Sequence, residues 1–303
     1  MAADFSISVR FYRLSKALQP YFTALYLFDI DCPDGAMVED YLHPEWAAMR
    51  FTHGVVPNAC FGPGAPVPQW PFVVSGPNSK SIHFGVSTAR IWGLGLMPAG
   101  WAKFVDGRAQ DFADRTVDGA VGDAFRVFAP IFDLTRDVTA PPETIGRKIN
   151  AYLLQHLDRS SQHEAQILAC HQALRDPDVA NVADLAERLD LTARSLERLC
   201  GRYFGFPPKL LLRRQRFLRS LAQFMLDPGR SWSEALDDQY YDQAQFVRDF
   251  RSFMGMAPSE YADMPHPIME KIIAHRMADQ GAAPQTDLPT IMRYTTDLVG
   301  DND

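Results

Sequence analysis

The sequence predicts an α+β protein in which a β-rich N-terminal domain of barrel or sandwich type precedes an all-α domain. Residues 1–137 contain short aromatic or β-branched runs separated by turns rich in Gly and Pro. After residue 137 the apolar residues fall at helical spacing. Within residues 181–262 two segments each consist of a helical pattern, a tight turn and a second helical pattern. These three observations together predict the fold class.

The strands of the N-terminal domain are predicted from its apolar runs. The runs are YFTALYLFDI, AAMRFTHGVV, PFVVSG and SIHFGVSTARIWGLGLM, and the intervening turns contain PDGA, FGPGAPVPQ, GPNS and PAG. Many short strands joined by such turns favour a small barrel or a jelly-roll-like sandwich.

The remaining boundaries follow from changes in pattern. DVTAPPE at 137–143 separates the β-rich part from a helical segment in which Ile145, Ile149 and Leu153 share one face. DPDVA at 176–180 precedes the two tandem motifs. We therefore predict a β-rich domain at 1–137, a helical linker at 138–180, the tandem motifs at 181–262, and a further helix and tail at 263–303.

The first motif contains a strongly amphipathic second helix. Asn181 is suited to cap the first helix of this motif and Thr192 the second. In the second helix one face is apolar, formed by Leu196, Leu199, Cys200 and Tyr203. The opposite face carries Arg194, Arg198 and Arg202, four residues apart. Such a row can contact phosphates and guanine edges in a DNA groove, and a solvated basic face is the alternative.

A long connector joins the two motifs. Pro208 suits the first helical turn, and no Gly or Pro occurs from Leu210 to Leu226, which predicts a helix of roughly 27 Å. Its arginines either contact phosphates or tie the two motifs together; they are Arg213, Arg214, Arg216 and Arg219.

The second motif repeats the pattern of the first. Capping boxes are predicted at Ser231–Glu234 and at Asp242–Gln245. The apolar face of its second helix consists of Phe246, Phe250, Phe253 and Met254, and the exposed face of Gln243, Gln245, Arg248 and Arg251. Gln can hydrogen-bond adenine and Arg guanine.

The net charge of −7 is unevenly distributed. Residues 181–220 hold nine basic and four acidic residues, whereas residues 221–262 hold three and seven. Positive charge is therefore concentrated on the first motif and the connector, and the acidic remainder favours a single DNA-facing surface.

The bulk composition favours a soluble cytoplasmic protein without disulfides. No run of about 18 apolar residues indicates a membrane span, and the N-terminus lacks the pattern of a signal peptide. The four cysteines have no CxxC spacing, so we expect reduced thiols.

The tandem motifs resemble the AraC/XylS family of bacterial transcription regulators. In the second motif the resemblance lies in Tyr240, Asp242, Phe246, Arg248, Phe250, Arg251, Gly255, Pro258 and Tyr261, and in the first in Thr192, Arg194, Leu196, Arg198, Gly205 and Pro208. Three positions depart from the family pattern: Gln239 replaces the turn glycine, Ala244 a small hydroxyl residue, and Cys200 an aromatic residue.

The resemblance implies two recognition helices in adjacent major-groove segments. Its base-facing positions are Arg194, Ser195, Glu197 and Arg198 in the first helix and Gln243, Ala244, Val247 and Arg248 in the second. We add Arg202 and Gln245 from the exposed faces described above. The N-terminal half shows a weaker resemblance to the sensory domains of this family, which implies ligand binding or dimerisation.

Candidate chemistry in the β-rich part is sparse. No GxGxxG, Walker, GxSxG or HExxH motif occurs, so no catalytic residue, metal ligand or cofactor is assigned. His43, His53 and His83 lack the spacing of a metal site. Tryptophans either line an effector pocket or form ordinary core; they are Trp46, Trp70, Trp92 and Trp101.

The leading hypothesis is a transcription regulator that binds double-stranded DNA in the nucleoid. Its expected partners are a small-molecule effector, a second copy of the chain and RNA polymerase. Two alternatives remain open: a barrel-type metal-dependent enzyme with a helical targeting domain, and a DNA-binding protein without an effector.

Overall fold

The computed structural model describes residues 5–226, 232, 234–272 and 296–297, and it confirms the α+β fold. Its N-terminal part contains two open sheets rather than a closed barrel. The strands are β1 (Ser6–Arg13), β2 (Phe22–Asp31), β3 (Val38–Leu42), β4 (Ala47–Gly54), β5 (Asn58–Phe61), β6 (Phe72–Ser75), β7 (Ile82–Val86), β8 (Ala89–Leu96), β9 (Thr116–Asp118) and β10 (Thr296–Asp297). The larger sheet has the order β10-β1-β2-β8-β4-β6-β9 and the smaller one β3-β7-β5.

The larger sheet is buried on both faces. Side chains along each strand point alternately to one face and the other, and each face packs against a different core. Leu25, Leu27 and Leu94 lie in a core shared with the helices. Phe28 and Ile91, on the opposite face, share a core with residues of the smaller sheet. Its central strands therefore contain nearly continuous apolar runs.

Nine helices are assigned in the described part of the chain. They are α1 (Pro98–Phe104), α2 (Ala129–Thr135), α3 (Pro142–Leu154), α4 (Glu164–Arg175), α5 (Val182–Arg188), α6 (Ala193–Phe204), α7 (Pro208–Leu226), α8 (Gln243–Met254) and α9 (Pro258–Ala262). Short 3₁₀ turns occupy Ala109–Asp111 and Arg126–Phe128. Within the described residues, no helix combines the length and the apolar character needed to span a bilayer.

The segment predicted as a helical linker packs within the main core. Ile145, Ile149 and Leu153 of α3 are buried with Ile167 of α4, and all four share that core with Leu196 of the first motif. The first motif and the larger sheet are thus parts of one packed unit, while the predicted domain boundaries stay predictions.

The second motif has a separate core. Phe217 and Leu221 from the later part of α7 pack with Phe250 of α8 and Tyr261 of α9. The connector α7 therefore contributes to two cores, since Leu211, near its start, belongs to the main core. A helix embedded in both units restricts their relative movement.

Residues 263–272, here called the C-terminal strap, return from α9 to the β-rich part. Ile268, Met269 and Ile272 are buried in the core between the two sheets. The sequence predicted a further helix within 263–303, and the strap is helical at 269–272. The rest of that helix and the predicted tail lie outside the described residues, apart from 296–297.

Candidate nucleic-acid interface

The first motif forms as its capping residues predict. The Asn181 side chain accepts hydrogen bonds from the backbone of Ala183 and Asp184, and Asp184 completes a capping box. Asp190 adopts a left-handed conformation with φ of 50° in the turn. The Thr192 hydroxyl then accepts a hydrogen bond from the Ser195 backbone at 3.2 Å and begins α6. Local hydrogen bonds therefore define both helices and the turn between them.

The two faces of α6 separate as predicted. Its core face is buried, as Leu196, Leu199, Cys200 and Tyr203 all show. The predicted base-facing side of α6 is open: Arg194, Glu197, Arg198 and Arg202 are exposed and Ser195 is half-buried. Among the described side chains, no carboxylate pairs with Arg194, Arg198 or Arg202. These guanidinium groups remain available for an anionic partner.

The second recognition helix is α8. The Asp242 carboxylate accepts a hydrogen bond from the Gln245 backbone at 2.6 Å. The Gln245 side chain accepts one from the Tyr241 backbone at 3.1 Å, one residue earlier than a capping box requires. Gln245 is therefore engaged in the helix start, and its carbonyl oxygen is less available to a base than the sequence suggested.

The remaining candidates on α8 differ in exposure. Gln243, Ala244, Arg248 and Arg251 are exposed, whereas Val247 is half-buried. Tyr241, just before the helix, is 93% exposed and was missed by the sequence reasoning. An aromatic residue beside an N-cap is a signal that could have identified it, because tyrosine hydroxyls contact phosphates in protein–DNA complexes.

The first half of the second motif is not helical where it is described. Residues 234–242 form turns, and the predicted capping box at Ser231–Glu234 lies partly outside the described residues. The Asp237 backbone donates a hydrogen bond to the Ser220 hydroxyl at 2.8 Å, and the Asp237 carboxylate accepts one from the Gln239 backbone. These bonds replace those that a helix would form. Gln239, at the position of the turn glycine in the family pattern, does not adopt a left-handed backbone conformation in this turn.

Connector arginines bind the second motif instead of facing solvent. Asp249 of α8 is 4% exposed, and its carboxylate lies 2.6 Å from Arg213 and 3.1 Å from Arg216. The Tyr240 hydroxyl donates a hydrogen bond to the same carboxylate at 3.2 Å. Arg219 pairs with Asp237. For Arg213, Arg216 and Arg219 the structure therefore supports internal pairing, which holds the connector to the second motif.

Arg214 instead connects α7 to the β-rich part. This side chain is fully buried and donates hydrogen bonds to the carbonyl oxygens of Glu45 at 3.2 Å and Asn78 at 3.0 Å. Its guanidinium carbon lies 3.8 Å from the centre of the Trp46 ring. A buried cation stacked on an aromatic ring and bonded to carbonyls fixes the connector to the sheet region.

Both recognition helices end against loops of the β-rich part. Gly205 ends α6 with φ of 86°, and a Cβ atom there would lie 2.9 Å from Pro77. Gly255 ends α8 with φ of 78°, and a Cβ atom there would lie 2.7 Å from Pro63. Within α6, a Cβ atom on Gly201 would lie 2.4 Å from the side-chain oxygen of Gln110, which would have to move to admit it. The β-rich part therefore contacts each helix directly.

The strap makes a second polar connection between the two parts. The buried Asp40 carboxylate of β3 accepts hydrogen bonds from the backbone of Ile268 and Met269, both at 2.8 Å. His266 lies 3.2 Å from the same carboxylate. The His43 ring is hydrogen-bonded to the Tyr261 hydroxyl at 2.8 Å.

A cavity of about 180 Å³ lies between the sheets. The strap and Leu218 of α7 contribute to its wall together with strands of both sheets. Trp46 lines it and also belongs to the main core, whereas Trp92 and Trp101 belong to that core without lining the cavity. The half-buried Trp70 does not line it. Only one of the four candidate tryptophans is thus placed to contact a ligand there.

The histidines of the β-rich part are dispersed. His53 is hydrogen-bonded to the Thr135 hydroxyl at 2.9 Å, and His83 stacks on Tyr41. Among the described residues, no three His, Cys, Asp or Glu side chains are grouped to hold a metal ion.

Comparison with known proteins gives one family match and several structural likenesses. Residues 185–264 match a family described as a helix-turn-helix domain. A ligand-free variant of ToxT from Vibrio cholerae is 12% identical, with a TM-score of 0.40 over 86% of this chain and 97% of that chain. Wild-type ToxT bound to an unsaturated fatty acid is 10% identical, with a TM-score of 0.39 over 87% and 97%. The AraC-like transcriptional activator CuxR is 13% identical, with a TM-score of 0.30 over 72% and 87%. No curated protein matches the chain.

Proposed function

Because residues 185–264 form a helix-turn-helix domain of the AraC type, we propose that this DNA-binding transcriptional regulator is sequence-specific and responds to a small-molecule effector. The observation that carries the proposal is the open arginine row of α6, in a motif whose core and caps are fully formed. In the connector, Arg213 and Arg216 pair with the buried Asp249. In α6, by contrast, Arg194, Arg198 and Arg202 are exposed. This difference supports the proposal that α6 receives DNA.

In this proposal α6 provides most of the affinity. Arg198 hydrogen-bonds a base edge, Arg194 and Arg202 contact the backbone, and Ser195 and Glu197 complete the readout. In α8, Gln243 and Arg248 contact bases beside Ala244 and Val247. Because residues 221–262 carry a net negative charge, this second helix adds specificity more than affinity.

We place the effector in the cavity between the sheets. Its wall includes the strap and α7, which both continue into the second motif. A ligand that binds one arrangement of these elements more tightly shifts the population of DNA-competent molecules. The proposal also includes a homodimer on paired half-sites, contact with RNA polymerase, and a cytoplasmic location on the nucleoid.

Selection from fragmented genomic DNA at about 150 mM salt tests the central proposal, since specific affinity exceeds non-specific affinity by several orders of magnitude there. Enrichment of a few fragments is the expected result, and equal affinity for all fragments would contradict it.

A single variant tests the proposed role of α6. Arg198→Ala should weaken binding to an enriched site by about 1–3 kcal/mol. Arg147→Ala, which removes an exposed arginine of α3, should leave binding unchanged. Equal loss in both variants would show that Arg198 acts only through overall charge.

A further inference from the structure

The cavity between the sheets is mostly apolar, with one charged pair in its wall. Phe11, Phe28 and Ile91 contribute from the larger sheet, and Ile268 and Met269 from the strap. Such a wall favours a ligand that buries mainly hydrocarbon surface. The polar groups in the wall then determine which polar atoms that ligand can carry.

The charged pair is internally compensated. The Arg50 guanidinium lies 2.6 Å from the Glu45 carboxylate and donates a further hydrogen bond to the Ser75 hydroxyl at 3.1 Å. An anionic ligand beside this pair would meet the Glu45 charge, and a cationic ligand would meet the Arg50 charge. Because burying an unpaired charge is costly, the wall disfavours both kinds of ion.

Two other polar groups in the wall lack a partner. The Gln69 Nε2 and Trp46 Nε1 atoms are buried, and neither has an acceptor among the described residues. Both side chains line the cavity, and Trp46 is 4% exposed. A buried donor without an acceptor is unfavourable, so a ligand that brings an oxygen acceptor recovers part of this energy.

The size of the cavity limits the ligand further. A protein cavity of about 150 Å³ lined by Leu, Ile and Phe is known to bind benzene. The present cavity of about 180 Å³ therefore has room for a ring of that size with a short substituent.

We propose that this cavity binds a small, uncharged, largely apolar molecule that presents a carbonyl-type oxygen to Gln69 and Trp46. The inference rests on the proposed function, in which the cavity is the effector site, and it specifies the chemical class of that effector. The charged pair Arg50–Glu45 stays intact when such a ligand binds.

Four probes of equal heavy-atom count test the class directly. They are acetophenone, which is neutral with an acceptor; cumene, which is neutral without one; benzoate, an anion; and 1-phenylethylamine, a cation at neutral pH. Isothermal titration calorimetry with the full chain should rank acetophenone first. Cumene should bind about fivefold more weakly for want of one hydrogen bond, and the two ions at least about tenfold more weakly.

A pair of variants connects the ranking to the wall. Gln69→Met removes the unpaired donor at similar size and should weaken acetophenone about fivefold without changing cumene. Gln155→Met, at an exposed position on the end of α3, should change neither. If the Gln69→Met variant bound all four probes as the unmodified chain does, the proposed role of Gln69 would be overturned.

The same samples distinguish failure of this inference from failure of the proposed function. Benzoate or the amine binding more tightly than acetophenone would overturn the neutral class. Absence of binding by all four probes would overturn the cavity as a site of this size. Neither outcome would alter the enrichment of genomic fragments, which tests the regulator itself.

Discussion

The protonation of His266 is expected to control how firmly the strap is held to the β-rich part. Its Nδ1 atom lies 3.2 Å from the Asp40 carboxylate and its Nε2 atom 2.8 Å from the Tyr261 carbonyl oxygen. Both neighbours are acceptors, so only the doubly protonated imidazolium can donate to both at once. Loss of the proton must break one of these two hydrogen bonds.

The pKa of His266 gives the direction of the effect. Burial lowers this pKa, but hydrogen bonds to Asp40 and to the Tyr261 carbonyl, with the charges of Asp40 and Glu270, outweigh burial and raise it above 6.5. A raised pKa stabilises the folded state fully below about 6.5, and this contribution is lost as the pH rises through the folded value. Because burial of the charge offsets part of the gain, the net effect on strap opening should be that of one ordinary hydrogen bond, about 0.5–1.5 kcal/mol.

Amide hydrogen exchange measures this opening, because the Ile268 and Met269 backbone amides donate to Asp40. Between about pH 6 and pH 9 their protection, corrected for intrinsic exchange, should fall several-fold. His266→Gln should remove that pH dependence. His53→Gln is the control: burial first, and then Arg136 and Arg90, lower the pKa of His53, so its effect on stability has the opposite sign and lies outside the strap. Equal pH dependence in the His266→Gln variant and the unmodified chain would refute the reasoning.

Two further variants test the contacts around the second motif. Asp249→Ala leaves Arg213 and Arg216 without their shared carboxylate and should cost about 3 kcal/mol in urea unfolding, the lower end of the range because Arg213 is partly exposed. Asp133→Ala, which removes an exposed pair, should have no measurable effect, and equal losses would show that burial is irrelevant. Gly255→Ala strains a positive φ and meets Pro63, whereas Gly122→Ala strains a positive φ in open space. The first should therefore lower the melting temperature more than the second, and equal shifts would exclude a role for the contact with Pro63.

The sequence was most informative where hydrogen bonds and periodicity are local. Asn181, Thr192 and Asp242 cap helices as predicted, since each cap depends on residues two or three positions away. The buried faces of α6 and α8 follow from helical spacing alone. Local rules therefore located the two recognition helices before any tertiary contact was known.

The function of each arginine could not be predicted in this way. Arg198 and Arg213 occur in similar amphipathic patterns, yet the first is exposed and the second pairs with a residue 36 positions away. Arg214 reaches carbonyl groups more than 130 positions away. Pairing of this kind depends on tertiary packing, which periodicity does not encode.

The same limit applied to the proposed effector site. Aromatic content suggested four tryptophans, but of these only Trp46 lines the cavity. The strap residues Ile268 and Met269, which complete the cavity, follow the DNA-binding motifs in sequence and resembled a terminal helix. Only the return of the chain to the sheets brings them to the cavity.

The shared wall of the cavity leads to a reciprocal relation between effector and DNA. Leu218 belongs to both the cavity wall and the core of the second motif, and the strap continues directly from α9 of that motif. If an effector changes the affinity for an enriched DNA site by a given factor, linkage requires that this DNA changes the affinity for the effector by the same factor. We therefore expect acetophenone titrations with and without the DNA site to differ by the factor found in DNA titrations with and without acetophenone. Leu218→Ala should reduce both factors together, because it removes a contact that the cavity and the second motif share. Unchanged factors in the Leu218→Ala variant would show that this shared contact does not couple the two sites.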